Sequence, residues 1–283
     1  LEDMKALLKN DIQFVIHSGR QLNLLKRIKK LKESQPVWLK FDSGMNRLGF
    51  SIEDASKIFE EVSKKTNQIV LMSHFYSFKG NTQQLEKFKE LEKKCTSDKI
   101  FVKKSLCNSG GMINYPASQK DIVRPGISLF GSRSNLKGKN IRLKPVMTLK
   151  SKFISLKEIE KGEKVGYEGT WQAKKKSKIG ILPVGYGDGY PINLSNCGKV
   201  LIKGKLVPVI GKVSMDMIAI DLSKINKIGY KDEVILWGKG HEVDTVAKYA
   251  NNSAYTLMSG ITNRVNKVYT VSYTHLRAHE TTV

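Results

Sequence analysis

The chain has 283 residues, 40% of them hydrophobic, with a formal charge of +23 and three cysteines. That is enough apolar material for one large or two medium cored domains, and no apolar run reaches the roughly 18 residues that a membrane-spanning helix needs. Cys95, Cys107 and Cys197 are odd in number and lack the spacing of a disulfide framework or a metal cluster, which points to reduced thiols in a cytoplasmic protein and to no metal site.

In chain order, the first half alternates short apolar runs with amphipathic stretches. Strands are predicted at Gln13–Ile16, Val37–Phe41, Ile69–Ser73, Ile100–Lys103 and Ser128–Phe130, with helices near 20–32, 51–65 and 83–95. The repeat of roughly 25–33 residues is the length of a βα unit. Near-continuous apolar strands with helical crossovers imply a parallel sheet buried on both faces. The fold class is therefore α/β, part of a (β/α)8 barrel. An open doubly wound sheet is the alternative, but no Gly-rich nucleotide fingerprint follows any strand. After about residue 140 the pattern becomes β-rich, with strands expected at Lys150–Ser155, Ile179–Val184, Lys199–Lys203, Leu206–Ile210 and Asp232–Trp237 and one helix over 244–258. Lys203-Gly-Lys205 reads as a hairpin turn. The expected division is a barrel domain over 1–140, a mainly β domain over 141–270, and a tail over 271–283 that resembles a translated sequencing adapter. The tail holds His275 and His279 at helical spacing; a metal pair is the functional alternative there, and the adapter reading is preferred.

The charge admits a non-catalytic, basic nucleic-acid-binding protein, because clustered Lys and Arg release counterions from phosphates. The lysines are instead scattered, often beside Glu or Asp, as across Lys87-Phe-Lys-Glu-Leu-Glu-Lys-Lys94. The longest basic run is Lys174-Lys175-Lys176, without aromatic interleaving. This is the pattern of solvated faces, and we expect no nucleic-acid partner.

Catalytic groups of a parallel barrel lie just past the C-terminal ends of its strands. Applied here, that rule selects Asp42 to Gly49, His74, Cys107-Asn108-Ser109-Gly110-Gly111 and Val123-Arg124-Pro125-Gly126-Ile127. A lone histidine at a strand end is more often a satisfied core residue; consecutive units placing polar or cationic groups on one rim favour a site. Asn108, Ser109, Gly126 and Ile127 offer hydroxyl and backbone N–H donors suited to a phosphate. Arg47 and Arg124 suit a carboxylate or an aromatic-nitrogen acceptor. Together they imply a small, anionic, phosphorylated ligand.

These residues lie in motifs that resemble the alanine racemase family in its order: Lys40-Phe-Asp-Ser-Gly-Met-Asn-Arg-Leu-Gly49, Met72-Ser-His-Phe75, Cys107-Asn-Ser109, Val123-Arg-Pro-Gly-Ile127, Val165-Gly-Tyr-Glu-Gly-Thr170, Gly185-Tyr-Gly-Asp-Gly-Tyr190 and Gly211-Lys-Val-Ser-Met-Asp216. The resemblance implies a pyridoxal phosphate (PLP) enzyme, a barrel followed by a β domain, acting as a head-to-tail homodimer with shared active sites. It also implies interconversion of L- and D-alanine for peptidoglycan. By the same resemblance Tyr167 is the catalytic tyrosine, one of two bases on opposite faces of the substrate. His74 and Arg124 belong to the network that tunes it, and Arg124 also faces the PLP pyridine nitrogen. Arg47 contacts the PLP phenolic oxygen and the substrate carboxylate. Lys40 matches a lysine that is often carbamylated and orients that arginine. Asn108, Ser109, Gly126 and Ile127 hold the cofactor, with the phosphate on the last three. The Met215 N–H binds the substrate carboxylate, and Tyr186 and Asp216 line the access corridor.

Departures from the family pattern are Ser214 where some relatives have a cysteine, Asn263 where some members carry a phosphate-contacting tyrosine, and no acidic residue shortly after His74-Phe75. The Lys-Ala-(Asn/Asp)-Ala-Tyr-Gly motif that carries the cofactor-linking lysine is absent. With Leu1 in place of an initiator methionine, the expectation is an N-terminally truncated chain that is inactive alone. A broad-specificity, often periplasmic, amino-acid racemase of the same fold is the closest alternative.

Overall fold

A computed structural model describes residues 1–29, 31, 35–77, 81–133, 136 and 141–270. The chain divides into two units, Leu1–Lys144 and a second beginning at Pro145. The expectations for the tail, His275 and His279 included, lie outside the described residues.

The first unit runs α1 (Glu2–Lys9), β1 (Val15–Ile16), α2 (Gly19–Lys26), β2 (Val37–Lys40), α3 (Ala55–Ser63), β3 (Gln68–Met72), α4 (Thr82–Lys94), β4 (Phe101–Ser105) and α5 (Ser109–Asn114). The strands form one parallel sheet in sequence order, with Val37 beside Ile69 and Ile69 beside Val102. Each strand is followed by a helix, the arrangement of successive βα units in a barrel. The central strands are apolar between their ends because both faces are covered: Val37, Leu39, Ile69, Val70 and Leu71 are buried. α3 packs Ala55, Ile58, Phe59 and Val62 inward, an i, i+3, i+4, i+7 stripe.

The expected strand Ser128–Phe130 is instead part of a 3-10 helix, Ile127–Phe130. The chain does run beside β4, but earlier: Ile122 N–H donates to the Lys104 carbonyl and Arg124 N–H to that of Cys107. Pro125 then brings no N–H to continue the ladder. Leu129 N–H folds back to Gly126, and Leu129 and Phe130 are exposed rather than buried.

The second unit contains β5 (Leu149–Lys152), β6 (Ser155–Ile159), β7 (Lys164–Val165), β8 (Trp171–Gln172), β9 (Ser177–Leu182), β10 (Lys199–Ile202), β11 (Lys205–Ile210), β12 (Ile218–Asp221), β13 (Glu233–Trp237), α6 (Val243–Tyr249) and α7 (Ala254–Ser259). Seven strands form one antiparallel sheet in the order β5-β13-β10-β11-β12-β9-β6, and β7 pairs with β8. β10 and β11 are joined through Lys203-Gly204, both at positive φ, which matches the twist of a two-residue hairpin. The single helix expected over 244–258 is broken: Asn251 takes positive φ, and Ser253 caps a new helix by accepting from Thr256 N–H at 3.1 Å.

Candidate active site

In the first unit, the polar groups gather past the C-terminal ends of β2, β3 and β4. Beyond β2 the chain folds back on itself, with Asp42 N–H donating to Phe50 O and Phe50 N–H to Lys40 O, both at 2.9 Å. Gly49 makes this crossing possible: its φ is +137°, and a Cβ there would stand 2.6 Å from Asp42 N. Inside the turn, Asp42 Oδ1 accepts from Gly44 and Met45 N–H, both at 2.8 Å. Burial raises the Asp42 carboxyl, but the backbone donors from Gly44 to Arg47 outweigh it and hold it below the usual carboxylate range. This turn carries Arg47. Lys40, the last residue of β2, is buried, and burial followed by the charges of Arg47 and Arg124 lowers its pKa.

Arg124 is the hub of the cluster. Its Nε donates to Ser105 Oγ at 2.9 Å, Nη1 to His74 Nδ1 at 2.9 Å, and Nη2 to the carbonyls of Leu106, at 3.0 Å, and Ser73. A guanidinium has five N–H groups, so these bonds leave a single Nη1 N–H without an assigned acceptor among the described residues.

The arginine sets the state of His74. Nδ1 faces a permanent donor and must accept, which places the ring proton on Nε2. Asn108 Nδ2 lies 3.3 Å from Nε2, a longer approach than the 2.9 Å of the arginine. The Asn108 amide is already oriented, since Oδ1 accepts from Gly111 N–H at 3.0 Å and Nδ2 donates to Phe75 O at 3.2 Å. The Nε2–H therefore faces no acceptor among the described residues. Burial, then the charges of Arg124, Arg47 and Lys40, push His74 down from 6.5 to about 4, so the imidazole is neutral at pH 7.

Ser109 opens α5, and its Oγ accepts from Gly126 N–H at 2.8 Å and Ser128 Oγ–H at 3.1 Å. This joins the α5 N-terminus to the Gly126-Ile127 turn. The Ser109 O–H and the Ser109, Gly110 and Ile127 N–H groups have no assigned acceptor among the described residues, a set suited to phosphate oxygens. These free donors are of the kind pyridoxal phosphate takes: the Ser109 O–H and the Ser109, Gly110 and Ile127 N–H groups suit the phosphate, the Gly126 N–H being spent on Ser109 Oγ, and the remaining Arg124 N–H suits an unprotonated ring nitrogen. An arginine yields no proton to that nitrogen.

The second unit brings together a different set. Tyr167, 71% exposed, sits on a tight loop between β7 and β8. Beside it is an open groove of about 550 Å³, lined in part by Ile159, Val165, Ile179 and Ile210. Elsewhere in this unit, Tyr186 N–H donates to Ser214 O at 3.0 Å and Gly187 N–H to Met215 O at 2.9 Å. Glycine at 185 permits this approach, because a Cβ there would lie 2.2 Å from Ser214 O. The Met215 N–H has no acceptor among the described residues. Arg264 binds Asp216 and lies 3.4 Å from Asp188, so it clamps both turns. Sequence reasoning missed Arg264, along with Ser73, Ser105 and Gln84 behind the first-unit site. A cation downstream of two acidic motifs was the signal for Arg264; the others act through contacts that no local pattern marks. Several lysines pair with neighbouring acids on the surface, including Lys64 with Glu60 and Lys94 with Glu90.

Comparison with known proteins places the chain in one family. The alanine racemase N-terminal domain family matches residues 1–134, and the alanine racemase C-terminal domain family matches 146–269. Alanine racemase of Actinobacillus succinogenes is 39% identical, over 95% of this chain and 76% of that protein. That of Vibrio parahaemolyticus is 38% identical, over 95% and 76% respectively. The crystal structure of biosynthetic alanine racemase from Pseudomonas aeruginosa aligns with TM-score 0.85 at 34% identity, again over 95% of this chain and 76% of that one. That of Bartonella henselae, with covalently bound pyridoxal phosphate, aligns with TM-score 0.83 at 25% identity, over 95% and 76%.

Proposed function

The chain belongs to the alanine racemase family, and from that premise we propose that its first unit holds the cofactor and substrate while its second unit supplies a proton-transfer tyrosine to another copy. The activity is PLP-dependent interconversion of L- and D-alanine. When bound, pyridoxal phosphate withdraws electrons from the substrate's Cα and makes its proton removable.

The chain's own residues do the rest. Ser109 and the Ile127 N–H anchor the phosphate, the Gly126 N–H holds Ser109 Oγ in place, and Asn108 fixes the segment before it. Arg124 gives its remaining N–H to the ring nitrogen without protonating it, which limits the electron withdrawal and suppresses side reactions such as transamination. Arg47, oriented by Lys40, takes the substrate carboxylate together with the Met215 N–H of the other copy. Tyr167 holds or returns the proton on one face of Cα, and the neutral His74 offers its Nε2–H to the tyrosine oxygen, stabilising the phenolate. Tyr186 and Asp216 line the approach. The opposite face needs a second base, which the family resemblance assigns to the cofactor-linking lysine; its motif does not occur in these 283 residues.

The observation that carries this reading is the Arg124–His74 pair, which fixes a neutral imidazole and leaves one guanidinium N–H for a ligand. The exposed Tyr167, beside an open groove lined in part by apolar side chains, supports a head-to-tail homodimer. The composition supports a cytoplasmic location. The gene's complete product, supplied with PLP, should form D-alanine from L-alanine. Bound PLP without that activity, or a clear preference for a basic amino acid, would defeat the reading and favour a broad-specificity racemase.

A further inference from the structure

α4 turns Gln84, Phe88 and Leu91 inward, and Gln84 is 2% exposed. A leucine or methionine of similar size would fill that space without a polar group to satisfy, so packing alone does not call for glutamine. Its amide is fully engaged. Nε2 donates to Ser43 Oγ at 3.1 Å and to the His74 carbonyl at 3.0 Å, while Oε1 accepts the Tyr76 N–H at 3.2 Å. A flipped amide would set donors against a donor and an acceptor against a carbonyl, so its orientation is fixed.

Two segments of the site converge on this group. Ser43 belongs to the turn that carries Arg47, and its Oγ lies 2.7 Å from Ser73 Oγ. Since Ser43 Oγ accepts from Gln84, its own proton is free to go to Ser73. Ser73 precedes His74, and its carbonyl accepts from Arg124. Past β3 the segment has left the sheet, so its backbone groups depend on side chains: Gln84 holds His74 O and Tyr76 N–H, and Asn108 holds Phe75 O.

We propose that Gln84 is a positioning residue that ties the Arg47 turn to the His74 segment and so keeps the His74 imidazole seated on Arg124. It touches neither ring nor ligand. Its importance to catalysis rests on the racemase reading; its effect on His74 does not.

The test is nitrogen NMR of the histidine rings in the complete gene product, comparing the native protein with Gln84→Met and with Gln83→Met, which alters an exposed position on the same helix. The native His74 should show one tautomer, with the proton on Nε2, and resist protonation until about pH 4 under the charges of Arg124, Arg47 and Lys40. Gln84→Met should give a mixture of tautomers and a titration moved toward 6.5, whereas Gln83→Met should change neither. In activity, kcat should fall roughly 10- to 100-fold, more than KM rises, as expected for a misplaced group. A Gln84→Met protein that melts earlier but keeps the His74 tautomer and titration would overturn the proposal. Should Gln84→Met not fold, Ser43→Ala decides: it removes the link to the Arg47 turn alone and should shift His74 in the same direction by less, and an unchanged His74 would overturn the proposal. The His74 response in a protein without racemase activity would sustain the role of Gln84 while defeating the functional reading.

Discussion

Arg124 Nη1 stands 2.9 Å from His74 Nδ1, so the one side chain that cannot lose its proton fixes where the other keeps its own. Arg124→Lys removes this fork and leaves Ser105 Oγ and the Ser73 and Leu106 carbonyls without their donors. Each lost charge-assisted bond costs about 1.5–3 kcal/mol, not additively. The variant should melt several degrees lower and lose racemisation at least about 100-fold. Unchanged melting and rate would show that the network does not matter.

The depressed His74 pKa has a signed consequence. Above pH 6.5 the ring is neutral whether the chain is folded or not. As pH falls from 6.5 toward about 4, the unfolded chain takes up a proton that the folded chain refuses, so folded stability declines through that window. Buried His241, also lowered by burial, acts in the same direction. His74→Gln should therefore flatten, without abolishing, the loss of urea midpoint between pH 7 and pH 5. Identical slopes for both proteins would contradict the assignment.

Tyr167→Phe removes a single exposed hydroxyl, so melting temperature and PLP affinity should stay unchanged. Racemisation should fall by about 10²–10⁴-fold in both directions, the usual contribution of a general acid–base group. A variant with undiminished turnover would exclude Tyr167 as a base.

Gly49→Ala forces a side chain into positive φ and against the Asp42 backbone. It should cost at least about 2 kcal/mol in unfolding experiments and raise KM for alanine, because the Arg47 turn can no longer close on β2. Unchanged KM and stability would mean that the turn has room to give.

Much of this was legible in the sequence where the chain is buried on both sides. Residues 37–39 and 69–71 lie in strands whose apolar side chains are covered on both faces of the sheet, with the polar Lys40 and Gln68 only at the strand ends. Ser128–Phe130 misled, since its apolar run has the composition of a strand while Pro125 and Gly126 just before it end the ladder. The break at Asn251 was hidden by helical periodicity that runs through both α6 and α7. Site residues at strand ends followed from the barrel rule and the motifs. Gln84 did not, because its partners Ser43 and His74 lie 41 and 10 residues away and its own segment reads as an ordinary amphipathic helix.

The central claim is that the Arg124–His74 pocket of one copy works with Tyr167 of another, and subunit mixing tests it most directly. In the complete gene product, Tyr167→Phe and Arg124→Lys variants, each nearly inactive alone, are unfolded together and refolded in equal amounts with PLP. A mixed dimer would pair one intact pocket with one intact tyrosine. Random reassortment then predicts recovery of about a quarter of native D-alanine formation. Activity no greater than the sum of the two separate variants would contradict the account.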